Sequence, residues 1–135
     1  MRVFLDTNVL VSAFATRGLC ADLFELVLIE HDLVLGRQVL RELARALRLK
    51  VKLPATRANE IVEFVSDEAT QTVDRAEALG AEVDPDDALV LGEAVAARAD
   101  LFVTGDAALL KLGTIGAIEI VSPRKFWEIL HSGAK

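Results

Sequence analysis

Short apolar segments alternate with longer helical segments along almost the whole chain. The strand-like segments are residues 2–5, 32–35, 70–73, 101–104 and 118–121. The segments with helical periodicity or helix-capping residues are 8–14, 19–30, 38–49, 54–69, 84–99, 106–111 and 123–131. Strands that alternate with helices favour a parallel sheet covered by helices on both faces. The sequence therefore predicts one α/β domain over residues 1–135, in three layers, with a mostly parallel central sheet of about five strands.

The composition is that of a folded domain without a cysteine-based metal site. The chain is 53% hydrophobic and 27% charged, which is apolar enough to bury a core. Its single cysteine, Cys20, excludes an intramolecular disulfide framework and a Cys-rich zinc site. No apolar run reaches the roughly 18 residues that span a bilayer, and the first apolar run stops at Asp6, too early for a signal peptide. We therefore expect a cytoplasmic protein that does not associate with membranes.

Charge is distributed unevenly. The chain carries a formal net charge of −6, yet residues 37–57 contain seven basic residues and a single acid, Glu42. Six of these bases form what we call the basic stripe: Arg37, Arg41, Arg45, Arg48, Lys50 and Lys52. A local basic stripe on an acidic protein can bind phosphate, although a solvated helix face has the same pattern.

Acidic residues follow two of the strand-like segments. Val3-Phe4-Leu5 runs into Asp6, and Leu101-Phe102-Val103 is followed by Thr104, Gly105 and Asp106. In open α/β sheets, ligands bind outside the carboxyl ends of the strands. Asp is also a common turn and cap residue, so either acid alone is weak evidence of a site. Their equivalent positions at one edge of the sheet favour a site.

Two further acids lie on predicted helices. Asp87 shares a helical face with the apolar residues that should pack on the sheet, whereas Asp86 points away from them. The structural alternative for Asp87 is a capping carboxylate that reaches back to Asp84. For Glu42 the alternative is an ion pair with Arg41 or Arg45.

Together, Asp6, Glu42, Asp87 and Asp106 would form a pocket of like charges. Close carboxylates repel one another unless they are protonated or neutralised by a cation. Their hard oxygen atoms select Mg²⁺ or Mn²⁺ over zinc, and such ions support phosphodiester hydrolysis. Three neutral residues would orient the acids or a phosphate: Thr7, Asn8 and Thr104.

Four blocks of sequence resemble the PIN-domain ribonucleases, especially the small prokaryotic toxins of toxin–antitoxin pairs. These blocks are VFLDTNVLVSA (3–13), VLRELARAL (39–47), DPDDALVLGEAVAARAD (84–100) and LFVTGDAALL (101–110). By this resemblance, the same four acids match the family's acidic metal-binding positions, and Asn8 and Thr104 match its supporting polar positions. Relatives often carry another acid two residues after the TGD aspartate, where this chain has Ala108.

The resemblance implies a Rossmann-like sheet and an Mg²⁺- or Mn²⁺-dependent endoribonuclease, with RNA as substrate, a small antitoxin protein as partner and a homodimeric or higher assembly. The basic stripe would then bind the RNA backbone.

Two alternative functions are a catalytically silent RNA- or antitoxin-binding module and a phospho-signalling receiver domain. A receiver needs an acceptor Asp closing a middle strand, whereas the second strand here ends in Val34-Leu35-Gly36.

Overall fold

The computed structural model describes residues 1–80 and 82–132. Within them the strands are β1 Arg2–Leu5, β2 Asp32–Gly36, β3 Gln71–Val73, β4 Leu101–Val103, β5 Thr114–Ile115 and β6 Ile118–Val121. The helices are α1 Thr7–Ala15, α2 Leu19–Glu30, α3 Arg37–Leu49, α4 Ala55–Glu68, α5 Pro85–Ala96, α6 Ala107–Leu112 and α7 Pro123–His131. The predicted α/β class is confirmed.

The strands form one twisted layer in the order β3-β2-β1-β4-β6-β5. All neighbouring pairs are parallel except β5 and β6. From β1 the chain builds the sheet outward through β2 and β3, and then returns to the other side of β1 to add β4. The strand order therefore reverses beside β1, and a ligand crevice is expected at the carboxyl ends of β1 and β4.

The central strands are buried on both faces. Val3, Phe4 and Leu5 are each fully buried, and successive side chains of a strand point to opposite faces. Phe4 stacks on Phe102 of the neighbouring strand, with 5.2 Å between ring centroids. Such burial confirms the three-layer arrangement and explains why these strands are continuously apolar instead of alternating.

Helix α3 packs by the apolar stripe predicted from its sequence. Val39, Leu43 and Leu47 are fully buried, while the arginines of the opposite face are exposed. This amphipathic division fixes the rotation of α3 about its axis. It consequently determines which of its polar residues face the carboxyl edge of the sheet.

Two details differ from the sequence prediction. Helix α5 ends at Ala96 instead of about Ala99, because Arg98 adopts a left-handed conformation with φ of 56° and turns the chain into β4. The sheet has a sixth strand, β5, that the sequence did not reveal. Two residues are too few to show a period-two pattern, so hydrophobic periodicity could not identify this strand.

No helix among the described residues is long and apolar enough to cross a membrane.

Candidate metal centre at the carboxyl edge of the sheet

Asp6 lies at the point where β1 ends and α1 begins, and the residue is only 5% exposed. One carboxylate oxygen, Oδ1, accepts a hydrogen bond from the backbone N–H of Thr7 at 2.8 Å. The other, Oδ2, accepts from the Thr104 hydroxyl at 2.7 Å and from the Asn8 amide at 3.2 Å. The predicted supporting residues Asn8 and Thr104 therefore contact this carboxylate directly.

The loop after β4 is tied to the loop after β1. The buried Thr104 hydroxyl, besides donating to Asp6, accepts from the backbone N–H of Asp106 at 3.0 Å. Asn8 Oδ1 accepts from the backbone N–H of Gly105 at 2.9 Å. Asp106 is the N-cap of α6, and its Oδ1 accepts from the backbone N–H groups of Ala108 and Leu109 in the first turn. These bonds fix Asp6 and Asp106 at the same edge.

Glu42 is held by neutral donors. The hydroxyl of Thr7 donates to Oε1 at 2.8 Å, and the side-chain amide of Gln38 donates to Oε2 at 3.0 Å. The ion pairs among residues 1–80 and 82–132 are Arg37–Asp74, Arg57–Glu60 and Arg124–Glu128, so Glu42 does not pair with Arg41 or Arg45. The predicted residue Thr7 therefore orients Glu42. Gln38 orients it as well, and the sequence did not indicate this residue.

Asp87 lies in the first turn of α5. The N-cap of that helix is Asp84, whose carboxylate accepts from the backbone N–H of Asp86. Within the described part of the chain, no hydrogen bond joins Asp87 to Asp84, so the capping alternative does not hold for Asp87. Asp86 is exposed and does not line the cavity described below, whereas Asp87 does.

Two of the four acids, Asp6 and Asp87, have raised pKa values. Partial burial, followed by the charges of Asp6, Asp106, Asp84 and Glu42, raises the pKa of Asp87 to about 6. Burial also raises the pKa of Asp6, an effect that the hydrogen bonds from Thr104 and Thr7 oppose and the neighbouring acids reinforce. Burial and the neighbouring carboxylates together disfavour the charged forms of Asp6 and Asp87.

All four acids line one cavity of about 690 Å³ between α1, α3, α5 and α6. Thr7 and Asn8 lie in the same wall. An apolar strip formed by Val11, Ala46 and Leu49 continues the cavity, and Arg45 and Lys50 stand at its rim. Of the basic stripe, only these two residues line the cavity; Arg37 instead pairs with Asp74 at 3.2 Å, in an exposed position.

The donor set suits a hard divalent cation. It consists of carboxylate oxygens with supporting hydroxyl and amide groups, which are the ligands that Mg²⁺ and Mn²⁺ prefer. In the arrangement observed for residues 1–80 and 82–132, no three His, Cys, Asp or Glu side chains are gathered as a metal ion would require. Asp6, Glu42 and Asp106 each accept hydrogen bonds from neighbouring hydroxyl or backbone donors.

Comparison with known proteins agrees with the fold. Residues 2–108, which include all four acids, match the family described as "PIN domain". A similar solved structure is that of VapBC2 from Rickettsia felis bound to a DNA fragment from their promoter, with a TM-score of 0.67 and 16% identity over 90% of this chain and 98% of that chain. No curated protein matches the chain. At that identity, the structural likeness indicates a shared fold.

Proposed function

The chain belongs to the PIN domain family, and from that premise we propose that it is an Mg²⁺- or Mn²⁺-dependent endoribonuclease, the toxin of a toxin–antitoxin pair. The observation that carries the proposal is the convergence of Asp6, Glu42, Asp87 and Asp106 on one cavity at the sheet's switch point, where none of the ion pairs among the described residues includes any of them. Carboxylates clustered in this number without neutralising ion pairs are typical of a site that binds cations.

Asp6, Asp87 and Asp106 are the proposed ligands, and Glu42 either binds a second ion or orients the attacking water. When bound, the cation supplies Lewis-acid activation of water and stabilises negative charge on the phosphate. The chain's own part is positioning. Thr104 and Asn8 hold Asp6, while Thr7 and Gln38 hold Glu42 towards the cavity. Because water and not the ribose 2′-hydroxyl attacks, the products should carry 5′-phosphate and 3′-hydroxyl ends.

RNA must approach a pocket that repels its phosphates. Arg45 and Lys50 stand on the cavity rim and are exposed, so they can bind the phosphates on either side of the cleaved bond. The apolar strip of Val11, Ala46 and Leu49 offers contact area to a base or ribose beside that phosphate. The rest of the basic stripe, outside the cavity, would attract the RNA backbone at longer range.

A small antitoxin protein is the proposed partner, and the cytoplasm is the proposed location. The family resemblance and the fold shared with VapBC2 support the partner. Self-association is proposed as well, since a chain of 135 residues that is 53% hydrophobic has enough apolar side chains to form both a core and an interface between copies. We further propose that residues 1–135 form a single nuclease domain.

The direct test is cleavage of a 5′-labelled single-stranded RNA by the purified protein in Mg²⁺, Mn²⁺ or EDTA. We expect cleavage with either metal, none in EDTA, and at least about a 100-fold slower reaction for Asp6→Asn, which keeps the side-chain shape but removes the charge. Absence of cleavage with both metals, or an equal rate for Asp6→Asn, would contradict the proposal. Tight RNA binding without cleavage would support the silent binding module instead.

A further inference from the structure

Glu93 is a buried acid outside the cavity. It lies on α5, almost two turns after Asp87, and is only 2% exposed. None of the ion pairs formed by residues 1–80 and 82–132 includes it. A buried carboxylate costs free energy unless its oxygens are hydrogen-bonded, so its partners indicate its role.

Both carboxylate oxygens of Glu93 are bonded to the first turn of α3. Oε2 accepts from the backbone N–H of Gln38 at 2.7 Å, and Oε1 accepts from that of Val39 at 3.3 Å. The first N–H groups of any helix lack partners within the helix and are usually capped by a local side chain. The N-cap residue of α3 is Gly36, which has no side chain to offer. Glu93 therefore caps α3 from another helix, and its charge is favourable at that helix end.

The Glu93 carboxylate occupies the space beside Gly36 in which a side chain at position 36 would lie. A Cβ atom at position 36 would lie 2.0 Å from Glu93 Cδ and 2.2 Å from Oε1. The backbone of Gly36 is extended, with φ of −136° and ψ of 167°, so any residue could adopt its conformation. Glycine is needed here because the carboxylate of Glu93 fills the space that a side chain would take.

The capped turn leads directly to the metal centre. Gln38, whose backbone N–H is bonded to Glu93, donates its side-chain amide to Glu42 Oε2 at 3.0 Å. Glu42 lies one turn further along α3 and faces the cavity. Helix α5 thus contributes Asp87 to the cavity and, through Glu93, holds the helix that contributes Glu42.

We infer that Glu93 is a positioning residue of the nuclease site: with Gly36, it fixes the start of α3 so that Gln38 holds Glu42 towards the cavity. The inference rests on the proposed function for its kinetic consequence only. Its structural consequence, the placement of Gln38 and Glu42, can be measured in protein without metal or RNA.

The test uses Gly36→Ala, Glu93→Ala and the double variant. Each single change removes the cap, one by displacing the carboxylate and the other by deleting it. We expect kcat for RNA cleavage to fall about 10- to 100-fold in each single variant, as when other residues that orient a metal ligand are replaced. RNA affinity measured in EDTA should stay within about twofold, since Arg45 and Lys50 are unchanged. The double variant should be no slower than Glu93→Ala, because the methyl group added at position 36 then has room.

Amide NMR of the metal-free protein gives the second readout. The backbone N–H groups of Gln38 and Val39, together with the Gln38 side-chain amide, should exchange with solvent faster in both single variants. Glu93→Gln, which keeps one acceptor oxygen and the side-chain volume, should show an intermediate loss and covers the case in which Glu93→Ala does not fold. The matched control is Ser122→Ala, which removes the cap of α7 and should lower stability without slowing cleavage.

Wild-type kcat in Gly36→Ala, multiplicative losses in the double variant, or unchanged exchange at Gln38 would each overturn the inference. If wild-type protein cleaves no RNA, the proposed function fails. The exchange measurements would then still decide whether Glu93 positions Gln38.

Discussion

The two ends of the central strands both carry aspartates, yet in opposite surroundings. At the amino end, the exposed Asp100 precedes β4 and accepts a hydrogen bond from the backbone N–H of Arg2 at 2.8 Å. The guanidinium of Arg2 lies at the same end and donates to the carbonyl of Ala97 and to Gln71. At the carboxyl end, Asp6 and Asp106 line one cavity together with two further acids, Glu42 and Asp87.

This difference shows how the fold and not the residue type distinguishes a site from a structural contact. The amino-end aspartate, Asp100, is exposed to solvent and bonded to a backbone N–H, so its charge is not confined among other charges. The carboxyl-end acids are partly or almost wholly buried among like charges, and the pKa values of Asp6 and Asp87 rise accordingly. Such an arrangement costs stability, and a bound cation would offset that cost.

The largest difference in RNA cleavage rate should appear when one aspartate charge is removed at the carboxyl end and, in a separate variant, one at the amino end. Asp106→Asn keeps an oxygen that can cap α6 but loses a ligand charge, so RNA cleavage should slow at least about 100-fold. Asp100→Asn, which also keeps its acceptor oxygen, should change the rate less than about twofold. Initial rates with labelled RNA in Mg²⁺ measure both. Equal losses for the two variants would break the comparison.

A smaller effect should separate the bases at the cavity rim from those elsewhere on α3. Arg45 lines the cavity whereas Arg48, one turn away, does not. Arg45→Glu should weaken RNA binding about tenfold near 0.1 M salt and lower the slope of log affinity against log salt by about one. Arg48→Glu should cost less than about threefold. Fluorescence anisotropy across a salt series measures both, and identical losses would show that the stripe acts only through its total charge.

The smallest effect concerns stability without metal. Asp87 has a pKa of about 6 in the folded protein, above that of an unfolded aspartate, so its charge destabilises the fold increasingly as pH rises from about 4 to about 6 and fully above. The shift would correspond to about 3 kcal/mol in a fully buried group. Since Asp87 is only partly buried and solvent screens part of the effect, we expect Asp87→Asn to gain about 1 kcal/mol at pH 7.5 in EDTA.

Denaturant unfolding in EDTA at pH 7.5 and 4.5 checks this sign. The advantage of Asp87→Asn should shrink at pH 4.5, and saturating Mg²⁺ should stabilise the wild type more than the variant. A variant less stable than the wild type at pH 7.5 in EDTA would mean that the carboxyl-end acids are already compensated within the protein.

Much of this organisation could be predicted from the sequence because it depends on local patterns. Continuous apolar runs indicated the buried strands, and the strand-to-acid junctions at Asp6 and Asp106 placed two acids at one sheet edge. The helical phase of Asp87 relative to Val90 and Leu91 indicated its inward face. In each case the spacing along the chain determines the direction of the side chain.

What could not be predicted depends on contacts between distant elements. In the sequence, Glu93 resembles any other acid on a helix. Its hydrogen bond to α3 joins residues that are 55 positions apart along the chain, so no local pattern indicates it. The closeness of Gly36 to Glu93 is likewise invisible in one sequence, because an extended glycine before a helix is ordinary. The basic stripe illustrates the converse: its charge was evident, but only the rotation of α3 shows that Arg45 and Lys50 reach the cavity.

The central claim is that the carboxyl-end acids form a cation site, and Mn²⁺ binding followed by electron paramagnetic resonance tests it most directly. The six-line signal of free Mn²⁺ should fall when wild-type protein or Asp100→Asn is added, with similar dissociation constants. Asp6→Asn should bind at least about tenfold more weakly. No loss of the free signal with wild-type protein, or equal affinities for wild type and Asp6→Asn, would contradict the account.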